Sequence, residues 1–259
     1  MSSSAKRALR ILEAVGRSDR ALSVTEIAHA LSLPPGTVFR SLDALARADL
    51  VRRYQASSRY VLGGGAERLQ RSLIAGFHMR EAVLPYLRQL ASLSGETASL
   101  HARLGWYGLR VASAPGTAEV TNTPPLGEAR PLGQHYAGRA ILAFLAPGEI
   151  MDYRAWTAEQ GSSPLHMLDH ELAATRARGF AVGDSDGGRP SSIAFPVLAQ
   201  NRPIAAIAIE GPVFARGRTG PEILAGWREI VRHVETLART QPGLFGNPFA
   251  HLDPQSIVL

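Results

Sequence analysis

Three short patterns in this chain have residue types and spacings that could do chemistry. Gly183-Asp184-Ser185-Asp186-Gly187 matches G-x-S-x-G, the turn on which many hydrolases mount a nucleophilic serine. That chemistry needs a strand before the serine and a helix after it, whose N–H groups help hold the oxyanion. Here Gly188-Arg189-Pro190 and a strand-like run follow, so an esterase acting through Ser185 is the weaker alternative and no catalytic residue is assigned. His166 and His170, spaced i,i+4, would share a helical face as a metal pair. Two ligands with no clear third and no H-E-x-x-H make a poor site, so neither a metal nor another cofactor is expected. The third pattern is basic: Arg40, Arg47, Arg52, Arg53 and Arg59 follow closely on a helix pair broken at Ser32-Leu33-Pro34-Pro35-Gly36. Guanidinium groups at such spacing suit phosphates and guanine edges.

The elements that position those arginines follow from local rules. A first helix begins after Ser4 and buries Ala8, Ile11, Leu12 and Val15, stopping at Gly16. Ser23-x-x-Glu26 is a capping box that opens a second, two-turn helix burying Ile27 and Leu31. Pro34 and Pro35 end it and suit the first turn of a third. In that third helix Val38, Leu42 and Leu45 point inward, leaving Thr37, Arg40, Ala44 and Arg47 on the free face. Leu50 to Tyr54 and Arg59 to Leu62 flank a polar turn and read as a hairpin. Three helices and a basic hairpin make a winged helix-turn-helix over residues 1–62, whose third helix enters the DNA major groove.

Charge supports the same assignment. The chain of 259 residues carries a formal +6, and residues 1–62 hold ten basic and five acidic residues, which is +5 of that total. Any partner of opposite sign therefore meets the N-terminal quarter. All but one of the basic residues, Lys6, are arginine, a bias that nucleic-acid contact or genome base composition would each produce. With no cysteine there is neither a disulfide framework nor a thiolate metal site. No apolar run approaches the ~20 residues that span a bilayer, so a cytoplasmic protein without membrane contact is expected.

Beyond Gly63-Gly64-Gly65 the chain changes character. Residues 63–79 form a linker helix with Leu69, Leu73 and Phe77 on one side, residues 80–240 a second domain, and residues 241–259 a loosely attached tail. The second domain opens with a helix over 80–93. TASLHARL and YGLRVASA flank Gly105-Trp106 as a hairpin, Pro115 to Gly133 reads as loop, and Ala137 to Leu145 and Leu168 to Arg178 are helical. FAVGD, SSIAFPVLA and PIAAIAIE are strands, and a long helix follows the capping box Thr219-x-x-Glu222. The class is α+β with an antiparallel sheet. Strand alternation places Ala206, Ala208 and Glu210 on one face and Ile207 and Ile209 on the other.

SVTEIAHALSLPPGTVFRSLDALARADLVRR, HYAGRAILAFL, LAATRARGFAV and SSIAFPVLAQNRPIAAIAIEGP occur in this order across residues 6 to 240. In these stretches the chain resembles the IclR family of bacterial transcription regulators. The resemblance implies a winged helix-turn-helix joined by a linker helix to a GAF-like effector-binding domain. It further implies a homodimer or dimer of dimers on palindromic double-stranded operator DNA, here a repressor of a catabolic operon. Gly36 and Phe39 depart from the polar residues the family often carries there, which shifts base contact to Thr37 and Arg40. The resemblance places a small-molecule effector at Tyr136, Ala137, Asp186, Ile193, Ala208 and Glu210. Uncompensated acids in a pocket disfavour a polyanion, so an aromatic or hydroxylated ligand is expected, with Arg130 or Arg139 balancing the carboxylates. His101 could face the same cavity, but a lone histidine in a strand is read as a core or surface group.

Overall fold

A computed structural model describes residues 3–54, 57–117, 125–160, 168–184, 190–211, 220–250 and 253–256. Two compact units result, Met1–Leu73 and Ile74–Leu259.

In the first unit, α1 (Ser3–Gly16), α2 (Val24–Leu31) and α3 (Pro35–Arg47) precede the antiparallel hairpin of β1 (Val51–Tyr54) and β2 (Arg59–Leu62). Both halves of the α2 capping box form: Glu26 N–H donates to Ser23 Oγ at 3.2 Å, and Ser23 N–H donates to the Glu26 carboxylate at 2.7 Å. Ser32 takes a left-handed conformation, φ 53°, which ends α2, and Pro35 occupies the first turn of α3. Ile11, Val15, Ile27, Val38, Leu42, Leu45, Val51 and Tyr60 close one core. Tyr60 also pairs through its backbone with Leu22, which ties the hairpin to the helices. Helix α4 (Gly64–Ala75) follows.

The second unit begins with α5 (Met79–Ser94) and is built on a six-stranded antiparallel sheet. Its strands are β3 (Thr97–Leu104), β4 (Tyr107–Ala114), β5 (Ala129–Pro131), β6 (Ala181–Asp184), β7 (Pro190–Ala199) and β8 (Arg202–Glu210), in the order β5-β4-β3-β8-β7-β6. Helix α6 (Tyr136–Leu142) lies across one face, where Ala194, Ala206 and Ala208 let it approach closely. Helices α5 and α9 (Pro221–Thr240) pack against strands of the sheet, and Arg228 of α9 sits over the Phe195 ring on the face opposite α6.

Some expectations need correcting. The helix expected over 137–145 ends at Leu142, and a further one, α7 (Pro147–Glu159), fills a stretch not assigned from sequence. Its signals are Pro147 at the first turn, Glu149 two residues later, and Ile150, Tyr153 and Trp156 on the buried side. Strand β5 lies within the expected loop. After α8 (Leu168–Arg178) and the sheet, α9 starts at Pro221 behind Gly220, and Thr219 lies outside the described residues. The tail is not loose throughout: Phe245 is buried, Phe249 stacks 5.8 Å from Phe77, and Asn247 Nδ2 donates to the Arg103 carbonyl at 3.0 Å.

Candidate functional site

The first unit presents an arginine face. Packing of Val38, Leu42 and Leu45 inward turns Phe39, Arg40, Asp43 and Arg47 to solvent. Thr37 and Arg40 lie together in the first half of α3, with Arg40 Nη2 3.5 Å from Thr37 Oγ1. Arg47 pairs with Asp43 one turn away, an exposed pair that costs little to exchange for a phosphate. On the hairpin, Arg52 lies over the Tyr54 ring and Arg53 donates to Ser58 Oγ at 2.7 Å, and both are exposed.

Arg59 differs from the others. Its Nη1 donates to the Ala21 carbonyl at 2.9 Å and to Glu26 at 2.8 Å, and Arg20 holds the other oxygen of Glu26 at 2.7 Å. The Ser23 backbone and side chain, with Arg20, hold the Glu26 carboxyl at about 2, well below its usual range. Arg59 thus braces the hairpin against the start of α2.

The second unit holds a cleft of about 50 Å³, partly open to solvent, between the sheet and the start of α6. The turn at Gly105 and Trp106 aligns His101 with Arg110 across β3 and β4, while Ser99 aligns with Ala208 across β3 and β8. Ser99, His101, Arg110 and Glu210 thereby share one face. Ser99 Oγ donates to Glu210 Oε1 at 2.6 Å, and Arg110 Nη2 binds Glu210 Oε2. Burial alone would raise the Glu210 pKa, but the hydrogen bond from His101 and the Arg110 charge pull it down to about 2. Burial keeps His101 and His135 neutral by lowering both pKa values.

These bonds fix the tautomers. His101 Nε2 lies 3.0 Å from Ser99 Oγ and 3.3 Å from Glu210 Oε1. The Ser99 hydroxyl donates its hydrogen bond to Glu210, so towards His101 both neighbours accept, and Nε2 carries the proton. His101 Nδ1 is then a bare acceptor. His135 caps α6 by accepting the Gly138 N–H on Nδ1 at 3.4 Å, so its proton is on Nε2. His101 Nδ1, His135 Nε2, and Nε and Nη1 of Arg110 are buried and have no hydrogen-bond partner among the described residues.

Two glycines make room for this arrangement. A Cβ at Gly108 would stand 2.7 Å from His135 Nε2, and one at Gly183 would stand 2.3 Å from the Tyr136 ring. Tyr136 lines the cleft, and its hydroxyl interacts with Ser192 and Glu210. Burial raises the phenol pKa, so the proton stays on.

Of the effector residues expected from sequence, Tyr136 and Glu210 meet at this cleft. Ala137, on the inner side of α6, and Ala208, on the strand beneath it, are buried in the core, and Ile193 pairs with Ile209 on the opposite face, so its neighbour Ser192 is the one turned inward. Asp186, Ser185 and His166 lie outside the described residues. Arg139 is committed to Glu171 at 2.9 Å and to the Val182 carbonyl at 3.0 Å, and Arg130 pairs with Glu128. The counter-charge to Glu210 is Arg110, which sequence reasoning missed, and His101 is a cleft residue, the alternative that sequence reasoning set aside. No group of three or more potential metal ligands occurs among the described residues, and no helix among them is long and apolar enough to cross a membrane.

Comparison with known proteins joins the two units. Residues 4–54 match the IclR helix-turn-helix domain, and residues 72–235 match the bacterial transcriptional regulator IclR C-terminal domain. The HTH-type transcriptional repressor AllR of Klebsiella pneumoniae is 28% identical, the match covering 92% of this chain and 89% of that protein. The transcriptional repressor IclR of Escherichia coli is 27% identical over 80% of this chain and 79% of the relative. A crystal structure of an IclR homologue from Microbacterium hydrocarbonoxydans complexed with 4-hydroxybenzoate superposes with a TM-score of 0.68 at 18% identity, covering 90% of this chain and 98% of that one. With a basic helix-turn-helix and both family domains in order, the chain belongs to the IclR family of bacterial transcription regulators and is a DNA-binding regulator, not an enzyme.

Proposed function

We infer that this regulator is a repressor of a catabolic operon, binding palindromic operator DNA as a dimer or dimer of dimers and switched by a small aromatic or hydroxylated organic effector. The observation that carries the effector reading is the cleft in the second unit, whose buried nitrogens have no protein partner among the described residues. Buried polar groups are ordinarily satisfied, and a concave site with convergent unpaired groups is what a polar small molecule fills. The relative bound to 4-hydroxybenzoate and the two repressors among the relatives support the same reading.

On the DNA side, Thr37 and Arg40 would meet base edges while Arg47, Arg52 and Arg53 meet phosphates. Arg59 holds the wing in place. An effector shifts operator affinity only as far as it binds the DNA-competent and DNA-incompetent states unequally. Fluorescence anisotropy of the purified full chain with labelled promoter fragments, at two salt concentrations and with and without organic acids, tests the reading. Selective binding that one acid weakens is the expected result; equal affinity for promoter and scrambled duplex refutes it.

A further inference from the structure

The unpaired nitrogens define a ligand more closely than the family does. Arg110, His101 and His135 are 2%, 6% and 9% exposed, so none of their free atoms is served by bulk solvent. Three of those atoms are donors: Arg110 Nε and Nη1, and the protonated Nε2 of His135. The fourth, His101 Nδ1, is an acceptor. A bare carboxylate satisfies the donors and leaves His101 unanswered; a hydroxyl on the same molecule answers it.

Charge and shape narrow the choice. Arg110 is balanced by Glu210 and Arg130 by Glu128, so the cleft is electrically near neutral. A dianion would face two carboxylates without matching cations, whereas a monoanion draws on the donors still free. The walls are side chains of two histidines, two arginines, two glutamates and Tyr136, with the backbone at Gly108, and carbon makes up most of their open surface. The room between them, about 50 Å³, suits a short aliphatic chain better than an aromatic ring.

We propose that this cleft takes a small aliphatic monocarboxylate carrying a hydroxyl, the carboxylate held by Arg110 and His135 Nε2 and the hydroxyl donating to His101 Nδ1. The assignment rests on the effector reading above and makes His101 the residue that selects for the hydroxyl. Glu210 touches no ligand in this scheme: Ser99, His101 and Arg110 occupy its oxygens, and it sets the tautomer of His101 and the position of Arg110.

Isothermal titration of the full chain with lactate, glycerate and 3-hydroxybutyrate, the deoxy acids propionate and butyrate, glycerol, and benzoate tests the assignment. At least one hydroxy acid should bind about tenfold to a hundredfold tighter than its deoxy analogue, since the analogue leaves a buried acceptor unpaired. Glycerol and benzoate should bind more weakly than that acid. His101→Phe should abolish the hydroxyl preference, so that hydroxy and deoxy acids bind alike. Arg110→Lys keeps a cation beside Glu210 but loses the guanidinium donors, and should weaken all carboxylates about tenfold. Equal affinity for hydroxy and deoxy acids, tightest binding by benzoate or glycerol, or no binding by any of the seven overturns the proposal. Operator binding measured in parallel separates the two ideas. Hydroxy-acid binding that leaves operator affinity untouched refutes the effector role and keeps the ligand class, whereas acid-sensitive operator binding without hydroxyl preference does the reverse.

Discussion

Arg110→Met should destabilise the second unit by about 3–5 kcal/mol, because it strands a buried carboxylate. Arg110 is 2% exposed, and the Glu210 side chain facing it is 10% exposed. The Glu210 pKa points the same way: it is about 2 in the folded chain against an ordinary 4.5, lowered by His101 first and by Arg110 as well. The sign follows from the direction: a depressed carboxyl stabilises above its unfolded pKa, and that contribution fades as pH falls from about 4.5 towards 2. Wild type and Arg110→Met should therefore differ most at neutral pH and converge in acid. All three tryptophans, Trp106, Trp156 and Trp227, lie in the second unit, so their emission during urea unfolding reports that unit alone. Removing both charges, with Arg110→Met and Glu210→Leu together, should cost at least about 2 kcal/mol less than the two single effects summed. A cost below about 1 kcal/mol for Arg110→Met, or strict additivity in the double variant, would refute the buried-pair argument.

Other perturbations separate contact from support. Arg52→Ala should lower the slope of log affinity against log salt by about 0.9, the loss of one phosphate contact, while Arg59→Ala should lower the melting temperature of the first unit and change the salt slope less. A steeper slope change for Arg59 would mean that its bonds to Glu26 and Ala21 yield to DNA. Glu26→Gln should destabilise the first unit at pH 7 and progressively less below pH 4.5, as the wild-type carboxyl loses its charge towards pH 2; calorimetry of the full chain at pH 7 and pH 3 checks this. Gly108→Ala, whose methyl would meet His135 Nε2 at 2.7 Å, should abolish effector response with the operator affinity of the free protein unchanged.

Much of the first unit follows from near-neighbour rules. The Ser23 to Glu26 box, the Pro34-Pro35 break and the apolar stripe of α3 each act within one or two helical turns, and each appears in the structure as expected. The role of Arg59 escaped those rules because Glu26 and Ala21 are more than 30 residues away, and only the closed fold brings them to the wing. In the second unit, alternation identified the long strands correctly, whereas β5 is three residues long, too short for any period to register. Helix α7 shows weak periodicity because its exposed face also carries apolar groups, among them Met151.

The cleft shows where a pattern did exist. Pairing Leu104 with Tyr107 at the Gly105-Trp106 turn and stepping outward three residues sets His101 against Arg110. A charged residue in the middle of the otherwise apolar run YGLRVASA should already have demanded a buried counter-ion, because an isolated guanidinium in a core is prohibitively costly. Glu210 at the end of PIAAIAIE supplies it, on a strand that pairs with β3 from the other side. A strand with one arginine, a neighbour with one histidine and a third ending in one glutamate contain the site in outline. What periodicity omits is the order β4-β3-β8, which puts β3 in the middle so that its Ser99 and His101 can connect the other two. That central placement lets Glu210 bind Arg110 Nη2 while Nε and Nη1 stay without a partner among the described residues, and those two nitrogens are what the proposed ligand would engage.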